Sequence, residues 1–275
     1  MSLKINTIHL VDLVLLDRVV DAVDQAQSIK THLFSGIFLA CNPIAEEDNT
    51  GNIIVYPQNP SNSDYSELKL KTIIEYGDLD FPLDAEWNPF TKRLWIADSG
   101  NNSIVILNSN DYSFIKSLSG FTLPHSIISN KNNRSFFIKS FFDTSTQLIS
   151  QIDSTGEVLF ELQVPGSISS LTIDYTSSYL NEIPKYFSMD FDHDLNRLWF
   201  CSGSVLYMVD LDTKQIVEND LESGRLNDIS CVSVDRKSGN AFVIINDTVN
   251  YYVQQIFKDN NKLLGTAYLE EQPLP

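Results

Sequence analysis

The sequence predicts an all-β chain: a β-propeller of five four-stranded blades, six being the alternative count, with a short N-terminal helical arm. Three observations lead there. A run of apolar alternation, polar turn and aromatic strand at residues 84–108 (DAEWNPFTKRLWIADSGNNSIVILN) returns in part at 187–210 (FSMDFDHDLNRLWFCSGSVLYMVD). Most of the chain reads as short apolar strands punctuated by Asn, Asp and Ser, which are turn formers. Aromatic residues make up 11%, with 16 Phe and 11 Tyr, and such side chains favour strands.

Two regions follow from this pattern: an arm over residues 1–28 and a propeller over 29–275. In the arm, Ile5 to Leu10 reads as a strand. Val11, Leu15, Val19, Ala22, Val23 and Ala26 then recur at spacings of three and four, with Asp12, Asp17, Asp21 and Asp24 between them. That spacing predicts an amphipathic helix, placed to cap the ring or to dock on another subunit. The same stretch is interrupted by charge and lacks a small-residue cleavage site. It therefore reads neither as a signal peptide nor as a membrane span, and the expected location is the cytoplasm or a virus particle.

The propeller copies are found by offset. Arg197-Leu198-Trp199 lies 104 residues after Arg93-Leu94-Trp95, and Ala85 then meets Met189 while Trp87 meets Phe191. Another copy, Pro124 to Ile128 leading into Phe136-Phe137-Ile138, sits 42 residues after the first. A further one, Cys231 to Asp235 leading into Ala241 to Ile245, follows Arg197's copy by 43. A poorer copy holds Gly36 to Ala40. Each good copy continues into two more strands: Ser103–Leu107 and Tyr112–Leu118, Gln147–Ile152 and Val158–Val164, Val205–Val209 and Gln215–Glu218, Val249–Ile256 and Leu263–Leu269. A lone twisted sheet of this kind has two apolar faces. It buries them only between neighbours, and closing the circle removes the free ends. Trp87, Trp95, Phe136, Phe137, Phe191, Trp199 and Phe242 are expected to fill the gaps between sheets, each burial contributing a few kcal/mol, at about 25 cal/mol per Å². Residues 165–186 are longer than a normal connection and read as an insertion after a strand at Ser167–Tyr175.

Composition limits function. The net charge is −17, with no basic cluster to offset it, so nucleic acid is an unsuitable partner. Cys41, Cys201 and Cys231 are widely spaced and odd in number, and they read as buried free thiols rather than a zinc knuckle or disulfide framework. No GxSxG elbow, phosphate-binding glycine loop or HExxH sequence occurs.

Leu94 to Ile104 (LWIADSGNNSI) resembles the core of NHL-type propeller repeats, and Ser103–Leu118 and Val205–Val217 resemble the YVTN type. The resemblance implies the propeller architecture over about residues 29–270, and platforms of this kind bind proteins, RNA or small ligands, some as enzymes. In a propeller the loops leading into the innermost strands converge on the axis. Here that mouth would be built from Asp84, Glu86, His125, Ser126, Ser188, Asn227 and Asp228. Propeller lactonases similar to gluconolactonase hold an axial cation with acidic and Asn residues. NHL-type amidating lyases hold axial zinc with several His, one in a Pro-His-Ser setting like Pro124-His125-Ser126. By that resemblance Asp84, His125 and Asp228 would surround a calcium or zinc ion in a hydrolase or lyase. This chain has four His in all, and no second blade supplies a clear Glu. The leading expectation is therefore a non-enzymatic scaffold with no cofactor and no membrane association. It would bind a protein partner, or join an oligomer or larger assembly such as a virion through the N-terminal arm. The metal-dependent enzyme is the alternative.

Overall fold

Among the described residues, strand-forming repeats fold into twenty strands. The computed structural model describes residues 28–31, 38–42, 52–56, 72–74, 79–88, 91–130, 134–166, 188–202, 205–220, 228–235, 238–246, 251–256 and 263–269. The expected N-terminal strand and helix, the strand at Ser167–Tyr175 and Asn227 lie outside them.

The strands are grouped in chain order. Sheet one holds β1 (Ser28–Thr31), β2 (Phe38–Asn42), β3 (Asn52–Tyr56) and β4 (Thr72–Ile74). Sheet two holds β5 (Pro82–Asn88), β6 (Arg93–Asp98), β7 (Ser103–Asn108) and β8 (Phe114–Ser119). Sheet three holds β9 (Thr122–Asn130), β10 (Ser135–Asp143), β11 (Thr146–Ile152) and β12 (Val158–Pro165). Sheet four holds β13 (Met189–Asp192), β14 (Arg197–Ser202), β15 (Val205–Asp210) and β16 (Gln215–Asp220). Sheet five holds β17 (Asp228–Val234), β18 (Ala241–Asn246), β19 (Tyr251–Ile256) and β20 (Leu263–Leu269). Within every sheet each strand pairs with the next in sequence, so the described residues form five antiparallel four-stranded meanders. The first strands of consecutive sheets touch: β1 meets β5, β5 meets β9, β9 meets β13 and β13 meets β17.

The offset of 104 holds in the pairing. Trp95 on β6 lies opposite Ile106 on β7, and Trp199 on β14 opposite Met208 on β15. The partners are 102 apart because the loop joining β14 to β15 is two residues shorter than the one joining β6 to β7. The turns before the second strands repeat as well. Lys92, Arg134 and Asn196 each take a left-handed backbone one residue ahead of β6, β10 and β14. The expected strand from Tyr112 begins two residues later. Tyr112 sits at φ 57°, outside the extended region that strands ordinarily adopt, and it closes the hairpin turn by donating its amide to the Asn108 carbonyl.

The core lies between sheets. Trp95, Ile104, Ile106, Ile127, Phe136 and Ile138 pack sheet two on sheet three, where the Trp95 and Phe136 rings stack at 3.9 Å. Phe137, Ile149, Phe191, Leu198 and Phe200 pack sheet three on sheet four. Trp199, Cys201, Met208, Val232, Val243 and Ile256 pack sheet four on sheet five. The two tryptophans thus occupy equivalent places, each facing the sheet that follows. Both indole N–H groups are buried without a hydrogen-bond partner, so packing holds the rings. Trp87 and Phe242, expected to be equally deep, are only partly buried.

Candidate functional site

Among the described residues each first strand is paired on one edge only, so its other edge carries backbone N–H groups that must find acceptors when buried. The polar residues expected at the axial mouth supply them from the preceding sheet. Asp84 on β5 uses Oδ1 to accept its neighbour Ala85 N–H at 2.9 Å and Oδ2 to accept Ile127 N–H on β9 at 2.8 Å. Two residues on, and therefore on the same face, Glu86 Oε1 accepts both the amide and the hydroxyl of Ser129. Sheet four repeats the arrangement on sheet five. The Ser188 hydroxyl oxygen accepts Val232 N–H at 2.7 Å, and Asp190 Oδ2 accepts Val234 N–H at 2.7 Å. At the offset of 104, Ser188 is the counterpart of Asp84, and Asp190 of Glu86.

His125 and Ser126 both lie on β9 and are buried. The imidazole packs against the Phe141 ring at 4.9 Å, with Nδ1 2.9 Å from the Leu123 carbonyl. Burial, reinforced by the nearby Lys139 ammonium, pulls the His125 pKa down to about 3, so the ring is neutral at physiological pH. Asp228 opens β17, but its side chain and all of Asn227 fall outside the description. The structure therefore brings Asp84 and Glu86 together on one face and places Ser188 two sheets away in the matching role. Among the described residues, no three His, Cys, Asp or Glu side chains gather as a metal-binding group.

Sequence reasoning missed two members of this system. Asp190 was legible as the counterpart of Glu86 at the same offset. Lys139 was harder to see: it is fully buried on β10, and its Nζ donates to the Cys201 carbonyl on β14, tying sheet three to sheet four. Burial lowers its pKa to about 8. The signal was a single lysine inside the apolar run Phe136 to Phe142, where an unpaired charge is costly. Cys201 is a buried free thiol, as expected, whereas the Cys41 and Cys231 side chains lie outside the described residues.

The most NHL-like stretch, Asp98 to Asn102, also has a definite task. Asp98 Oδ1 accepts Asp80 N–H at 2.8 Å, and Gly100 N–H donates to the Asp80 carbonyl at 2.8 Å. Asn102 Oδ1 accepts Leu123 N–H at 2.8 Å, and the Ser99 hydroxyl donates to the Pro124 carbonyl. One loop thus fastens the segment leading into β5 and the first residues of β9. It fixes Phe81 and Leu123, both held in the left-handed region that bulky residues avoid, at φ 54° and 46°.

No known sequence family and no curated protein sequence matches the chain. Solved structures do resemble it. The β-propeller domain of Cps50 (Swd1) from Myceliophteria thermophila superposes with a TM-score of 0.56 at 10% identity, covering 88% of this chain and 71% of that one. Dihydro-heme d1 dehydrogenase NirN, in complex with DHE, gives 0.57 at 12% identity over 90% of this chain, and Kuenenia stuttgartiensis hydrazine synthase gives 0.52 at 12% over 70%. The chain spans about half the length of the latter two, 47% and 51%. Likeness at such identities speaks of fold alone, and the fold is a β-propeller.

Proposed function

We propose that this chain is a five-bladed propeller of the NHL or YVTN kind and serves as a non-catalytic scaffold for protein interaction or assembly, in the cytoplasm or within a virus particle. Five blades are supported by the five sheets and the sequential contacts of their first strands. One observation carries the functional reading. The groups an axial active site would employ are already engaged in structure: Asp84, Glu86 and Ser188 accept backbone amides from the next sheet. A carboxylate with both oxygens committed to fixed amides is poorly placed to act as a base or to take up a cation. The surface left for recognition is acidic, which favours a basic protein partner over nucleic acid.

The test uses the full chain purified without chelator. Light scattering and cross-linking against extract from the native source are expected to give a defined oligomer or a stoichiometric complex, with no stoichiometric metal by elemental analysis. A strict monomer that captures nothing and carries one calcium or zinc per chain would overturn the proposal in favour of a metal-dependent hydrolase or lyase.

A further inference from the structure

Gln147, second residue of β11, is fully buried, yet among the described residues neither its Oε1 nor its Nε2 has a hydrogen-bond partner. Its row across sheet three explains why. Phe141 on β10 lies opposite it on one side and Val164 on β12 on the other, both buried and apolar. The end of β12 then closes over the amide. A Cβ at Gly166 would overlap the Gln147 amide group, so glycine lets the backbone lie directly on it. That backbone covers the amide without bonding to it. Gly166 N–H donates instead to the Ser145 carbonyl at 3.0 Å. A second bond runs from the Ser202 hydroxyl, at the end of β14, to the Pro165 carbonyl.

Energetically this arrangement is close to balanced. A buried donor and a buried acceptor left unmet each cost as much as, or more than, one hydrogen bond returns in net stability. The two bonds that hold Pro165 and Gly166 therefore do little more than offset the two unmet groups of Gln147. Lifting these two residues releases the amide to water, and Pro165 is exposed already. The rest of the interface does not depend on them. Phe137, Ile149 and Phe191 pack sheet three on sheet four further along the strands.

We infer that Pro165 and Gly166 form a strap that opens locally while sheet three stays folded, and that the stranded amide of Gln147 keeps it poised to do so. Ile149, two residues on and on the same face, packs against sheet four. Opening therefore uncovers a polar amide on the side of sheet three that faces sheet four. It does so at the end of the sheet where β9 begins, because Thr122 lies opposite Phe141. Elements that move are drawn from the least stable parts of a structure. This opening is independent of the scaffold reading.

The experiment is amide hydrogen exchange of the full chain, followed residue by residue by NMR under native conditions. The Gly166 amide is expected to exchange about a hundredfold faster than the slowest amides of β10, and to keep its rate in dilute denaturant that speeds the latter. Gln147→Met preserves the unbranched shape and removes both unmet groups. It is expected to slow Gly166 exchange about tenfold and to raise the melting temperature. Ser202→Ala frees the Pro165 carbonyl and is expected to speed that exchange about fivefold. Wild-type Gly166 exchange as slow as that of the β10 amides would overturn the strap. So would a folded Gln147→Met protein that exchanges as fast as the wild type or faster, since a bound water would then already satisfy the amide. Should Gln147→Met fail to fold, unchanged exchange in Ser202→Ala would be decisive against it.

Discussion

Asp84 illustrates how little of a side chain's task is written in its type. A carboxylate near a propeller axis suggests a ligand for a cation, yet here it seals the open edge of the next first strand. Replacing Asp84 with Ala leaves the buried Ile127 N–H without that acceptor. The expected loss is about 1–3 kcal/mol in chemical denaturation, with Asp84→Asn losing less because its amide oxygen still accepts. Lys139 makes a prediction of opposite character. Its folded pKa, about 8, lies below its ordinary value of 10.5, so between those pH values the unfolded chain binds more protons than the folded one. Stability contributed by this group therefore rises as pH goes from about 8 to 10.5 and is flat below 8. Melting curves of the wild type and Lys139→Met across that range should diverge in favour of the wild type as pH rises. Parallel curves would mean that the ammonium is not desolvated.

Strands and loops carry a different kind of specification. Trp95 and Trp199 fill equivalent gaps, so truncation to Ala should cost about 3–5 kcal/mol at either site, and a large asymmetry between them would argue against equivalent sheets. Gly100 belongs to the loop that fastens two incoming segments. A Cβ there would meet the Asp80 side chain at 2.3 Å. Gly100→Ala is therefore expected to destabilise by about 1–3 kcal/mol through displacement of Asp80, read as a lowered melting temperature. Strand positions were legible in the sequence because apolar alternation is a local signal: β6, β7, β11 and β15 fall within one or two residues of the expected runs. Tyr112 was not, because a left-handed residue closing a hairpin looks in sequence like one more strand aromatic. Nor was Lys139, because burial of a charge depends on a carbonyl 62 residues away.

At the scale of the molecule, stability comes from sheets that each need neighbours, under a net charge of −17. Self-repulsion of that size is screened by salt. The melting temperature should therefore rise between about 10 mM and roughly 0.3 M sodium chloride, where the Debye length falls from about 30 Å to below 10 Å. A melting temperature independent of salt would indicate that the acidic groups are neutralised locally.

By itself the sequence determined the repeat unit, its four strands, their turns and the inter-sheet role of the tryptophans, since period, turn chemistry and apolar pattern are properties of neighbouring residues. Only the tertiary structure decided what the polar residues near the axis do. Whether Asp84, Glu86 and Ser188 face a ligand or an unsatisfied amide depends on which strand lies alongside, and that strand lies more than forty residues further along the chain. Phe114-Ile115, Val158-Leu159 and Ile216-Val217 lie in expected strands, and their exposure follows from the place of those strands as the last in each described sheet.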